Sequence, residues 1–279
     1  MSRVVWEERP LLHRPAAVVA FDGWGDAGEC SSGAVRSLLD GGDATFLGSI
    51  DPDEFFDFQV RRPTVHIDEF GMREIDWPDI EIWGVSKPGS ERDLLVITGS
   101  EPHTRWKVFT AAVLEVLDAT GVEEVVMLGA FIGQVPHTLP VPLVGSASDP
   151  DLVSTHQLFA SSYEGPTGII GVLTQAIVAT GRRVVSVWAA VPHYVSQQEY
   201  PPGSLALLEK ALDIVGVRVD TSELTLEVAA FRQQLEEALV DSEIREYIED
   251  LEAQSLAGEN GIDPVDRLVE EIEDFLRDP

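Results

Sequence analysis

"VVAFDGWGDAGECSSGAVRSLL", residues 18–39, passes from a strand-like apolar run through a glycine turn into a helix-like run, and what fills that turn decides the fold. Gly23, Gly25 and Gly28 stand in G-x-G-x-x-G spacing, the pattern that lets a strand-to-helix turn hold a pyrophosphate on helix N–H groups. Asp51, at the end of the next strand-like run, lies near the distance at which such a site binds a ribose. The side chains between the glycines oppose this reading. Asp26 and Glu29 have the D-x-x-E spacing of a capping box, in which both carboxylates bond the free N–H groups of the first helical turn. Those are the groups a phosphate needs, and no Lys or Arg follows before Arg36. The stretch therefore reads as a self-capped turn, with Ala27, Ser31, Ser32 and Ala34 small enough to let the helix lie close on a sheet.

Outward from this unit, β-branched runs recur and end in Gly, Pro or Asp: "AAVVAF", "ATFLGSI", "IEIWGV", "DLLVITG", "EEVVMLG" and "VVSVWAAV". Between them lie helical stripes such as Trp106, Phe109, Ala112, Val113, Val116 and Leu117, closed by Gly121. Strands alternating with helices predict an α/β fold with a mostly parallel sheet. After "HYVSQQEYPPGS" the pattern turns helical: Leu205 to Val215; the stripe Leu224, Val228, Phe231, Leu235 and Leu239; Ile244, Tyr247, Ile248 and Leu251; and Val265 to Leu276. Ser222, Ser242 and Asp263 with Pro264 occupy helix-start positions. The expected division is an α/β domain over 1–197 and an acidic all-α C-terminal region over 198–279. Within residues 222–279, 18 acidic residues face four arginines, a net charge of −14. Each of these helices has an apolar face to bury, against the α/β domain or a neighbouring subunit.

The whole chain of 279 residues carries 49 acidic and 19 basic residues, a net charge of −30 that opposes nucleic acid and anionic lipid as partners. No apolar run approaches the roughly 20 residues of a membrane span, and "MSRVVWEERP" has no apolar signal core, so a cytoplasmic location is expected. The single cysteine, Cys30, excludes an internal disulfide and a multi-cysteine zinc site, and reads as a buried, inert thiol. The six histidines show no two-ligand helical spacing, and no G-x-S-x-G or G-x-x-x-x-G-K-S/T motif occurs. Neither a metal nor a cofactor is expected.

Five blocks in order, "FDGWGDAGECSSGAVRSLL", "TGSEPHTRW", "LGAFIGQVPHTLPVPLVGSASD", "YEGPTGIIGVL" and "WAAVPHYVSQ", resemble the proteasome assembly chaperone family of the second-subunit type. Its first motif, G-W-x-D-A-G, is matched by Gly23, Trp24, Asp26, Ala27 and Gly28 and leaves Gly25 free, which makes the dinucleotide pattern accidental. The resemblance implies a three-layer α/β/α sandwich similar to nucleoside phosphorylases, a homo-oligomer with a trimer favoured, a protein partner such as proteasome α-subunits, and no reaction. Relatives that dock through a tail end in a hydrophobic residue, a tyrosine and a last residue, where this sequence has "FLRDP" with Arg277 and Asp278; that docking mode is not carried over.

Loops at the carboxyl ends of parallel strands gather along one edge, the usual ligand site of such folds. The surface expected there comprises Trp24, Asp26, Glu29, Glu101, His137, Glu164 and His193. An enzyme built on that edge would use His137 or His193 as a general base, oriented by Glu101, Glu164 or Asp26. The favoured reading is structural: in "VPHT" and "VPHY" proline sets a turn and histidine bonds a carbonyl. The expected function is thus a non-catalytic, protein-binding chaperone, with a small-molecule-binding or hydrolytic enzyme as the alternative.

Overall fold

A computed structural model describes residues 2–8, 11–68, 70–86, 89–161, 163–239 and 244–258. Its strands are β1 (Val4–Trp6), β2 (Ala16–Asp22), β3 (Asp43–Ile50), β4 (Thr64–Ile67), β5 (Arg73–Asp76), β6 (Ile80–Ser86), β7 (Leu94–Ser100), β8 (Glu124–Gly133), β9 (Leu143–Ala147), β10 (Phe159–Ala160) and β11 (Arg183–Pro192). Its helices are α1 (Cys30–Asp40), α2 (Trp106–Thr120), α3 (Pro150–Thr155), α4 (Ile169–Val178), α5 (Pro201–Val215), α6 (Ser222–Ala238) and α7 (Ile244–Gly258).

Strands rich in Val, Ile and Ala fit positions covered on both faces. β7, β2, β8 and β11 form such a parallel centre, with Val18 beside both Val96 and Val126 in register. Antiparallel pairings flank it, so the main sheet runs β1-β3-β6-β7-β2-β8-β11-β9-β10, while β4 and β5 form a separate hairpin. Alternation along β2 then divides the core. Ala16, Val18 and Ala20 face a layer that includes Val35 and Leu38 of α1, Leu207 and Ala211 of α5, and Leu224 and Leu235 of α6. Ala17, Val19 and Phe21 face Phe109 and Val113 of α2 and Ile170 and Leu173 of α4. The result is the α/β/α sandwich expected, and Phe109, buried edge-on against Phe21 and Phe55 at 5.7 and 5.3 Å, anchors its second layer.

Small residues bring α1 against α5 rather than only against the sheet. A methyl group on Gly33 would stand 2.6 Å from Ser204 Oγ, and one on Gly203 would collide with Cys30 Sγ. Cys30 is buried at this crossing, where burial and the Asp26 charge push its thiol well above the ordinary cysteine range. α6 and α7 follow the expected stripes. At the start of α6, however, Ser222 is the first helical residue, and Asp220 accepts from its amide (3.0 Å) and hydroxyl (2.6 Å). Ser242, Asp263, Pro264, the Val265–Leu276 stripe and the end of the chain lie outside the described residues.

Candidate functional site

The carboxyl ends of the four parallel strands lie along one edge, and the turn after β2 is its centre. Gly28, with φ 60°, turns the chain there, and Glu29 is also left-handed at φ 50°. Only after the short 3₁₀ turn Ala27–Glu29 does α1 begin, at Cys30. Asp26 therefore reaches past that turn: its Oδ1 accepts from Ser31 N (2.6 Å), Ser31 Oγ (2.7 Å) and Ser32 N (3.3 Å). A carboxylate so placed also faces the positive end of the helix. Its Oδ2 is buried with no hydrogen-bond partner among the described residues. Burial raises the carboxyl above its ordinary value, and the bonds from Ser32 and Ser31 oppose the rise.

The capping box is thus half realised. The sequence spacing assumes a helix starting directly after Asp26, whereas the intervening turn makes Glu29 itself the residue before α1, and its side chain makes no cap bond. It lies instead 3.7 Å from Arg36, exposed to water. One carboxylate fills the amide pocket.

A second helix mouth on this edge is filled the same way. Glu101 follows β7 and accepts from Ile169 N, the first amide of α4, at 2.8 Å through Oε1. Its Oε2 accepts from Trp24 N at 3.4 Å, which ties the β2 turn to α4. Trp24 is 52% exposed, and its ring passes over Gly168, where a methyl group would come within 3.1 Å of it. Beside it, Arg61 binds Asp22 through two bonds of 2.8 and 2.7 Å, a planar fork that fixes both side chains. The crevice among Phe21, Asp22, Gly25, Glu101, Gly168 and Trp188 measures about 10 Å³, room for one water at most.

His137, after β8, and His193, directly after β11, stand farther along this edge against α7, His137 half-buried and His193 exposed. Tyr194 Oη accepts from His137 N at 2.9 Å and lies 2.9 Å from His137 Nδ1, so its own proton is available to that nitrogen and leaves the neutral ring protonated at Nε2. Burial holds the His137 pKa below its ordinary value, while Glu252 and Glu236 pull it up and Arg232 pushes it down. His193 packs edge-on against Tyr194 (5.3 Å) and Tyr247 (5.4 Å), and Thr138 donates to Glu252. Contrary to the carbonyl bond expected, the partner of His137 is a hydroxyl. No hydrogen bond or ion pair among the described residues joins either histidine to Asp26, Glu101 or Glu164.

The seven residues predicted from sequence therefore separate. Trp24 and Glu101 meet at α4, Asp26 and Glu29 flank the start of α1, and His137 and His193 meet through Tyr194. Glu164 is exposed in the loop before α4. The sequence reading missed Arg61 and Glu252, whose partners lie 39 and 114 residues away with no local pattern to mark them. Among the described residues no cluster of three or more His, Cys, Asp or Glu is placed to hold a metal ion, and no helix is long and apolar enough to cross a membrane.

The sequence matches the PAC2 family over residues 20–239. A PAC2 family protein from Streptomyces avermitilis is 44% identical, covers 84% of this chain and 99% of its own, and superposes with a TM-score of 0.78. A proteasome-assembly chaperone homologue from Mycobacterium tuberculosis is 38% identical over 84% of this chain and 99% of its own, with a TM-score of 0.77. The archaeal proteasome activator PbaB of Pyrococcus furiosus, at 16% identity, shares the fold over 84% of this chain and 97% of its own, with a TM-score of 0.67. No curated protein matches the sequence.

Proposed function

The chain belongs to the PAC2 family, and from that membership we propose that it is a non-catalytic, protein-binding factor of the assembly-chaperone kind, acting on proteasome α-subunits in the cytoplasm as a homo-oligomer. Its similarity to the M. tuberculosis proteasome-assembly chaperone homologue supports the choice of partner. The observation that carries the non-catalytic reading is the filling of two helix mouths by the chain's own carboxylates, Asp26 at α1 and Glu101 at α4. A phosphorylated ligand would have to displace both charges from the sites that favour anions. Of the histidines an enzyme would use as bases, half-buried His137 is held by the Tyr194 hydroxyl, while exposed His193 packs edge-on against Tyr194 and Tyr247 of α7. Trp24, Glu29 and Glu164 are exposed and are assigned to partner recognition, as is exposed His193 at the end of β11; Asp26 and Glu101 hold the loops that present the first three.

Purified proteasome α-subunits from the same organism, passed over the immobilised full chain, test this reading. Retention is expected, weakened about tenfold or more, ~1.4 kcal/mol, in Trp24→Ala. Absence of retention, together with a nucleoside or nucleotide that raises the melting temperature, would replace the chaperone reading with the enzymatic one.

A further inference from the structure

A cleft of about 170 Å³ opens between α1 and α6 over the first turn of α5. Three contacts set its shape. Asp220, just before α6, donates its amide to Gly41 O at the end of α1 (3.4 Å), and Tyr200, just before α5, donates its amide to Gly28 O in the turn before α1 (2.7 Å). Phe231 of α6 packs on the Tyr200 ring at 5.5 Å. α6 therefore runs back alongside α1, and the cleft follows the roughly 15 Å length of α1 between them.

Its walls carry six carboxylates, Glu29, Asp40, Glu199, Asp220, Glu223 and Glu227, against one guanidinium, Arg36. Arg36 stands 3.7 Å from Glu29 and 3.5 Å from Glu199 with more than half of its side chain exposed, a weak pairing that water screens. Asp40, Glu223 and Glu227 have no cationic partner among the described residues. Acidic walls alone are what any protein of this charge displays; the floor is distinctive. Ser204 lines the cleft, is only 4% exposed, and its Oγ has no hydrogen-bond partner among the described residues. Gly33, opposite, leaves that oxygen uncovered, whereas a side chain there would close over it. A buried hydroxyl without a partner costs free energy unless a molecule in the cleft bonds it.

We propose that this groove, with carboxylates at both ends and the Ser204 hydroxyl in its floor, binds a linear aliphatic polyamine. Glu29 and Glu199 stand at the start of α1, and Asp40 and Glu223 at its end, a spacing that answers ammonium groups at the two ends of one chain. Leu224 and Pro201 offer apolar surface to the methylene stem, and Ser204 Oγ accepts an ammonium N–H. The space equals the share of about six waters, enough for such a chain laid along the groove. A divalent metal needs oxygens converging on one point, whereas these are strung along the cleft, and no metal-holding cluster of three ligating side chains occurs among the described residues. A lysine of another protein brings one ammonium on one stem and leaves one end of the groove unmet.

Titration calorimetry of the full chain with spermidine, in about 0.15 M salt to suppress diffuse counterion binding, tests it. One saturable site per chain is expected. Glu223→Gln combined with Glu227→Gln, both at exposed positions, is expected to weaken it about tenfold or more, and Ser204→Ala about threefold or more, with the fold checked by circular dichroism. Glu246→Gln combined with Glu249→Gln, which removes the same charge from exposed positions of α7, is expected to leave it unchanged. Butylamine, with one ammonium, is expected to bind about tenfold more weakly or less still than spermidine. Absence of a saturable site, or equal weakening by the α7 pair, overturns the proposal and leaves only a diffuse counterion atmosphere. Butylamine binding as tightly as spermidine overturns it in favour of a single-ammonium site, and displacement of spermidine by an equal concentration of magnesium overturns it in favour of a metal site.

Discussion

Asp79, just before β6, has a carboxyl raised to about 6 by burial, with the charges of Glu81 and Asp76 pushing the same way. An acid whose folded pKa exceeds its unfolded value favours the fold while protonated. Below pH about 4 both states hold the proton; as pH rises to about 6 the unfolded chain releases it first, and stability is lost through that window. Asp79→Asn is therefore expected to gain on the wild type as pH climbs from about 4 to about 6 and to hold a constant advantage above it, read from urea midpoints across the range. Asp26 is shifted in the same direction but carries a structural duty as well, since its Oδ1 serves Ser31 and Ser32. Replacing it mixes two effects of opposite sign, which makes Asp79 the cleaner probe.

At the scale of elements, the crossing of α1 and α5 is set by glycine. Gly203→Val would press two methyl groups into Cys30 and is expected to cost ~1–3 kcal/mol by overpacking, seen in thermal unfolding, and to speed labelling of the Cys30 thiol as the helices part. The central strands were legible because burial on both faces demands continuous β-branched runs, as in "AAVVAF" and "VVSVWAAV". The hairpin was not. "TVHI" and "REID" are four residues each, mix charges with aliphatics and lack a two-residue turn between them. Helix α4, "IIGVLTQAIV", is apolar on nearly all sides, and its periodicity does not separate helix from buried strand. Of the candidate site, Asp26 was legible as a cap because its partners are five and six residues away; the Tyr194 hydroxyl reaches His137 across 57 residues, a tertiary meeting that local spacing does not encode.

For the molecule as a whole, charge is the dominant long-range term. At −30 the folded chain concentrates its own repulsion, and added monovalent salt is expected to raise the melting temperature by several degrees between low and near-molar ionic strength. A fall instead would point to the ion pairs, such as Arg92 with Glu124, as the stronger influence. The double grip of Tyr194 on His137 has a consequence of its own in time rather than energy. The amide of His137 sits in irregular backbone yet is bonded and roofed by a helix, so its hydrogen should exchange with deuterated solvent at the pace of a strand interior. Removal of one oxygen, in Tyr194→Phe, is expected to return it to the pace of an open loop, making that single proton a clock for how often the helical roof lifts.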